Sequence, residues 1–407
     1  MKGIFDGIRV FDFTTNIWGS FTSLLLAEAG AEVIKVEHSE GDPMRNNGYV
    51  KDGVSLTFHS LNLNKKSICV EFRQQEGADL VRKLICDSDL LIEDYMPGQM
   101  AKWNLSYNDC SELNPGLIYI SVTGYGQHGP RSRCRPIDSN FIVESQMTAT
   151  YPTVDIDEYP VIRGGDLSSY LGGLYGFCAA TMAIYYRDNT GLGQHLDVNL
   201  LTATCTAAKQ NMTLLTQANR RFDVNTEAKD RAGFAPMGVL RTKDGFIDFN
   251  ASTDATYAAL KKLMPYDEVL FDPKYEDPMI RAGALHLLLE RIERWSVTLT
   301  SLELDHMLEK AKIPVGMITL HAGDLLSNEH LKATNRFMNV EVPDVGSLPF
   351  ACFPINFSDF PEESYEYMPA SELGADTRSL LKAAGFSETK IDDLQKNEVV
   401  FDISSDN

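Results

Sequence analysis

Positive charge is scarce in this chain: 37 Lys and Arg stand against 57 Asp and Glu, a formal net charge of −20 over 407 residues. A surface of that sign repels a phosphate backbone at long range, which argues against nucleic acid as a partner. Long hydrophobic runs are missing too. Apolar stretches such as 24–27 and 177–184 fall well short of the ~20 residues that a membrane helix needs. The chain opens on the strand-like IRVFDF rather than on a basic and apolar leader, so the expectation is a cytoplasmic protein with no membrane partner. The seven cysteines are scattered with no C-x-x-C pair, and their odd number argues against a disulfide framework. Reduced and mostly buried thiols are expected. No G-x-G-x-x-G follows the first strand, and neither a P-loop, H-E-x-x-H nor G-x-S-x-G occurs, which removes the ordinary dinucleotide, nucleotide, zinc-protease and serine-hydrolase readings. The eight histidines are isolated, and no metal site is expected.

What is present is an alternation of short apolar strands and helices over the first 125 residues: IRVFDF, then a helix across SFTSLLLAEAG, then EVIKVE, SICVEF, a helix near 75–87, DLLIEDY and LIYISVTGY. Strand runs that are apolar on both faces and separated by helices imply a parallel sheet covered on each side, with ligands beyond the carboxyl ends of the strands. The fold class expected is α/β, a large Rossmann-like parallel-sheet domain with a smaller α+β domain. The large domain begins over 1–200, with a long small-residue-rich helix at 167–187 followed by HLDVNL. The small domain spans 226–320, with a hairpin around Asp244 and Gly245 and amphipathic helices near 279–293 and 299–312. VGMITL, FMNVEV and two final helices read as a return to α/β chemistry, with 321–407 completing the large domain.

One constellation carries chemistry, VIRGGDLSSYLGG, in which Gly164 and Gly165 precede Asp166 and a helix starts at once. Glycines let the backbone turn sharply and approach a ligand closely. A carboxylate there faces the positive end of the helix macrodipole and nearby amide N–H groups, which favour its ionised form. An ionised, accessible carboxylate attacks reactive acyl groups to form an anhydride. The plain alternative is that Asp166 is the N-cap of the helix.

The wider pattern resembles the class III CoA-transferases, the family of formyl-CoA and carnitine CoA-transferases, related to the α-methylacyl-CoA racemases. The likeness covers nearly the whole chain and rests on GIRVFDFT, LLLAEAGAEVIKVEHSEGDPMR, LNLNKKSICVEF, LLIEDYMPG, LNPGLIYISVTGYGQHGP, GGDLSSYLGGLYG and TGLGQHLDVNL, with PMGVLRTKDG and IPVGMITL…NEHLKA further on. It implies a homodimer, interlocked in this family, that takes acyl-CoA and carboxylic acid substrates and keeps no permanent cofactor beyond coenzyme A as substrate. It also implies that Asp166 is the nucleophile, passing through an aspartyl anhydride and an aspartyl-CoA thioester, with Gly164 and Gly165 giving room and amide donors for the oxyanion.

The same resemblance places CoA against His38, Arg73, Asp94, Tyr95 and Lys102. His38 stands where an arginine is common, and Asp94 with Met96 replaces the usual Asn and Arg. In the loop after the first strand, Ile17 and Trp18 are unusual. They are either packing residues or an apolar substrate wall favouring acyl groups larger than oxalate or formate. A racemase of the same family would carry a histidine in a G-H-D segment, where this chain has Pro136, Ile137 and Asp138, and isoleucine carries no proton. A catalytically inactive acyl-CoA-binding protein is the other alternative.

Overall fold

In the computed structural model of the chain, residues 3–145, 147, 165–209, 235–360 and 366–402 are described. The chain divides into two units: the first comprises 1–151, 162–219 and 335–407, the second 152–161 and 220–334.

The first unit is built on a seven-stranded sheet. Its strands β1 (Arg9–Asp12), β2 (Glu32–Glu37), β5 (Lys66–Val70), β6 (Leu90–Glu93), β7 (Ile118–Thr123) and β8 (Gln194–Asn199) are parallel, and β14 (Val400–Phe401) adds antiparallel to β5. A small hairpin, β3 (Val50–Lys51) and β4 (Val54–Ser55), lies outside it. The order is β14-β5-β2-β1-β6-β7-β8. The chain therefore builds outward from β1 in one direction, then returns to β6 and builds outward in the other. This is the doubly wound arrangement expected from the sequence, and it opens a crevice at the carboxyl ends of β1 and β6, where the direction reverses.

Helices cover both faces: α1 (Ile17–Glu28), α2 (Leu56–Asn62), α3 (Gln75–Ile85), the short α4 (Gln99–Lys102) and α5 (Tyr107–Ser111), then α6 (Asp138–Glu144), α7 (Leu167–Thr190) and α8 (Leu200–Ala207). One core holds Phe13, Ile68, Val70, Phe72, Leu91 and Tyr119 under α3, and the other holds Val10, Leu26, Ile92, Ile120 and Ala180 under α1 and α7. At 24 residues α7 is long and apolar enough by length and composition to cross a membrane, a feature that counting unbroken apolar runs passes over. Its glycine face is used for packing, however. A Cβ on Gly173 would stand 2.8 Å from the Trp18 carbonyl oxygen, and one on Gly176 would stand 2.3 Å from Thr22 Oγ1. The two helices thus touch backbone to backbone.

The carboxyl ends of β1 and β2 are joined by buried charges. Lys65 Nζ donates to Asp12 Oδ2 (2.9 Å), Ser23 Oγ (2.8 Å), Asn62 Oδ1 (2.8 Å) and the Ser20 carbonyl (3.0 Å). Lys35 Nζ meets Asp42 Oδ2 at 2.6 Å and the Thr14 carbonyl at 2.8 Å. Burial opposes ionisation of Asp12, but Lys65 and Lys35 overcome it and hold its carboxyl down at about 2. Asp42 Oδ2 meets Lys35 as an ion pair without a hydrogen bond, but each charge in the cluster faces one of opposite sign, the pairing under which buried charge is tolerated.

The second unit has the antiparallel sheet β11-β10-β9, from β9 (Met237–Arg241), β10 (Phe246–Asn250) and β11 (Val315–Met317), packed on helices that include Leu285–Ser296 and Ser301–Lys310. The hairpin turns at Asp244, whose Oδ1 accepts from the Ser301 amide at 2.7 Å. Two elements depart from the sequence reading. The strand within VGMITL pairs with β10 in this sheet and not with the large one, and FMNVEV forms a two-stranded ribbon, β12 (Phe337–Val342) with β13 (Gly346–Ala351). Short apolar runs state that a strand exists, not which sheet it joins. The thiols also differ from expectation: Cys69 and Cys110 are buried, but Cys86, Cys134 and Cys178 are exposed.

Gly173→Ala should destabilise the protein by about 1–3 kcal/mol, the range for overpacking against atoms that cannot yield. Gly283→Ala, where a Cβ meets nothing within 4 Å, is the control and should be near neutral. Urea denaturation midpoints decide, and equal midpoints would show that α1 and α7 have slack between them.

Candidate active site

The direction of α7 follows from its ends. At its C-terminus Arg187 Nη1 reaches Asp89 Oδ1 at 2.7 Å, and Asp89 lies just before β6, so that end sits at the amino edge of the sheet. The N-terminus of α7 therefore points to the carboxyl edge, where the loops after β1, β2, β5, β6 and β7 gather. Asp166 stands there as the residue before the helix.

Its conformation is unusual. Gly165 has φ +96° and Asp166 φ +52°, two left-handed residues in succession. Glycine takes this region freely, whereas an aspartate there is held against a steric preference. The Asp166 side chain is exposed and makes no capping hydrogen bond. The capping is done from elsewhere: Asp138 Oδ1, at the first turn of α6, accepts from the Ser169 amide at 2.6 Å and from Ser169 Oγ at 2.8 Å. The simple-cap reading of Asp166 is thereby excluded. Gly164 lies outside the described residues.

The residues expected around CoA all fall on this same edge, in different states. His38 follows β2 directly and is half-buried; burial and then the Arg73 charge push its imidazole below the usual histidine range, and its Nδ1 accepts from the Glu40 amide at 3.1 Å. Arg73 follows β5 but is held by Glu71, at 2.7 and 2.9 Å, with Glu40 at 3.7 Å. Tyr95 stacks edge-on against Trp103, which meets Phe72 the same way. Burial pushes the Tyr95 phenol well up, so it stays neutral. Lys102 is exposed at the end of α4 and donates to Gln99 Oε1 at 3.2 Å. Trp103, the aromatic that links these loops, was not singled out in the sequence, where only its position after Lys102 hinted at it.

Three expectations need correction. Trp18 is 7% exposed and sits in the core under α1, with α7 against its backbone; Ile17 is half-buried against Met44, Phe58, Leu61 and Ala370. Trp18 thus packs the first turn of α1 and presents no open wall, while Ile17 packs on one side and leaves part of its surface uncovered. Asp94 does not offer its carboxylate to a ligand either. Its Oδ1 and Oδ2 accept from the amides of Thr15 and Asn16, each at 2.9 Å, which pins the loop after β1 to the end of β6 across the crevice.

A cavity of about 440 Å³ lies along this edge, lined by Pro97, Gly98, Gln127, His128, Gly129, Ser132, Arg133 and His195. Gly124, Gly126 and Gly129 give its loop a G-x-G-x-x-G spacing that went unnoticed because it follows β7 and not β1. The next helix begins only at Asp138, so this is no helix-terminal phosphate loop. His195 stacks on Tyr107 and its Nε2 is 2.9 Å from Ser121 Oγ, beside buried Glu93. The only signal for His195 was the block TGLGQHLDVNL, whose alternation reads as a plain strand.

Burial raises Glu93 to about 8 and Asp94 to about 7, so both carry protons well above the usual carboxyl range. A raised acid binds a proton in the folded state that the unfolded chain has lost. Its stabilising contribution is complete below the unfolded value of 3.8 for Asp94 and is lost as pH rises through about 7. Asp94→Asn should therefore flatten the decline of stability between pH 4 and 7 by about 1.4 kcal/mol per pH unit. An unchanged slope in chemical denaturation across that window would mean that Asp94 is ionised in the fold.

Comparison with known proteins adds the identity of this arrangement. CoA-transferase family III matches residues 5–377. The chain is 31% identical over 355 residues, 84% of its length and 80% of the relative's, to the succinyl-CoA:L-malate CoA-transferase alpha subunit of Chloroflexus aurantiacus. It is 30% identical over 385 residues, 93% of its length and 85% of the relative's, to the succinyl-CoA:glutarate CoA-transferase of Mus musculus. A CAIB/BAIF family protein from Brucella suis superposes with a TM-score of 0.82 at 26% identity, over 94% of this chain and 100% of that one. The doubly wound sheet, the carboxylate before α7 and these matches lead to one conclusion: the chain belongs to CoA-transferase family III and is an enzyme that transfers coenzyme A between carboxylic acids.

Proposed function

We propose that the enzyme works through Asp166 as a covalent nucleophile, and the observation that carries this reading is the exposed, left-handed, uncapped state of that carboxylate. The capping bond is made by another residue, and the left-handed backbone turns the carboxylate off the helix, so it is left open to a ligand. In the first step the Asp166 carboxylate attacks the thioester carbonyl of the donor; the C–S bond breaks, CoA leaves as thiolate, and an acyl-aspartyl anhydride forms. The thiolate then attacks the aspartyl carbonyl, the donor acid leaves as carboxylate, and aspartyl-CoA remains. The acceptor carboxylate displaces the thiolate from aspartyl-CoA, and the thiolate takes the acyl group from the new anhydride, restoring Asp166. No net proton moves, and the thioester energy is kept in an anhydride rather than lost to water.

We infer a dicarboxylate as acceptor, with succinyl-CoA as the natural donor, because the relatives named above act on malate and glutarate with succinyl-CoA. Arg133 in the cavity wall suits the anionic groups of such substrates. This replaces the expectation of a larger apolar acid, whose motive fell with the burial of Trp18. Lys102 is an exposed cation on this edge and the proposed phosphate contact for CoA.

Two measurements test the reading. Asp166→Ala should fold and bind CoA while losing transfer by on the order of 10⁴-fold, and hydroxylamine trapping during turnover of the wild type should modify Asp166 and no cysteine. Transfer within tenfold of wild type, or turnover with hydroxylamine that leaves no hydroxamate on Asp166, removes Asp166 as nucleophile. Lys102→Ala should weaken CoA binding by roughly 1–3 kcal/mol and reduce its salt dependence. An equal dissociation constant by calorimetry returns Lys102 to the solvated surface.

A further inference from the structure

The N-terminus of α7 presents a local competition. Asp166 occupies the position from which an aspartate ordinarily caps the third residue of a helix, and that residue, Ser169, has its amide taken instead by Asp138, a side chain 31 positions earlier in the sequence. Asp138 Oδ1 receives both donors of Ser169, the amide at 2.6 Å and the hydroxyl at 2.8 Å, and Ser169 itself is 1% exposed. If the Ser169 amide were open, two forces would act on Asp166 in the same direction. Its carboxylate would gain the capping hydrogen bond, and its backbone would relax from φ +52° to the extended conformation that a capping residue adopts. Either change would turn the carboxylate back onto the helix.

We propose that Asp138 is a positioning residue for the transfer reaction: by occupying the Ser169 amide it denies Asp166 its local cap and holds that carboxylate outward as a nucleophile. The proposal rests on the reading of Asp166 given above. It assigns Asp138 no contact with substrate and no proton transfer. What it supplies is hydrogen-bond acceptance at one oxygen, so a neutral amide at the same position should serve nearly as well as the carboxylate.

The test uses the full-length protein with succinyl-CoA, reading the rate of hydroxylamine-trapped Asp166 adduct alongside the dissociation constant for CoA. In Asp138→Ala the adduct should form about 10- to 100-fold more slowly, the cost of a misplaced reacting group, with CoA affinity unchanged. Asp138→Asn keeps an Oδ1 acceptor and should stay within about fivefold of wild type. Ser169→Ala keeps the Asp138 bond to the amide and should do the same. Wild-type rates in Asp138→Ala, or an Asn variant as slow as Ala, would overturn the proposal. Should Asp138→Ala not fold, the other two decide: a drop well beyond fivefold in either is incompatible with simple occupation of the amide. A wild type that forms no Asp166 adduct removes the underlying mechanism, whereas an adduct indifferent to Asp138 removes only its positioning role.

Discussion

The close approach of α1 and α7 is the constraint on which the first unit turns. Gly173 and Gly176 bring the α7 backbone against Trp18 and Thr22, a distance that any Cβ would forbid. With that seam fixed, and with Arg187 anchored to Asp89 at the far end, α7 has one direction across the sheet. Its first residue must then arrive at the carboxyl edge. The location of Asp166 is a consequence of helix packing, while its conformation is a consequence of Asp138.

Much of this was legible in the sequence, though not always for the reason the motifs suggest. The strand and helix alternation to residue 125 gave the parallel sheet because apolar runs flanked by helices have few other solutions. Several residues in the family blocks turn out to be structural: Asp12 in FDFT, Lys35 in EVIKVE and Lys65 in LNLNKK meet in one buried charge cluster and touch no ligand-facing surface. Trp18 and Asp94 were expected near ligands and are packed inward for the same kind of reason. The capping of Ser169 by Asp138 was not readable, because a cap supplied from a distant loop leaves no local spacing to recognise. The sheet membership of Val315–Met317 was hidden likewise, since pairing is decided by tertiary contact.

An acidic chain that handles two anionic substrates must solve an electrostatic problem at its binding edge. Two of the carboxyls nearest that edge, Glu93 and Asp94, are buried, which raises both toward the protonated form and weakens their repulsion of anions. Arg133 brings a positive charge to the cavity side of the same edge.

The sheet is closed on its β5 side by β14, which pairs Val400 with Val70 and Phe401 with Cys69. During synthesis, β5 leaves the ribosome with that edge unpaired and waits for more than 300 further residues, including all of the second unit, before its partner exists. An open edge of this kind is a template for pairing with other chains. Completion of the large unit therefore waits on a strand more than 300 residues downstream of its partner, and until then the Lys66–Val70 edge has to be kept apart from neighbouring chains on the polysome.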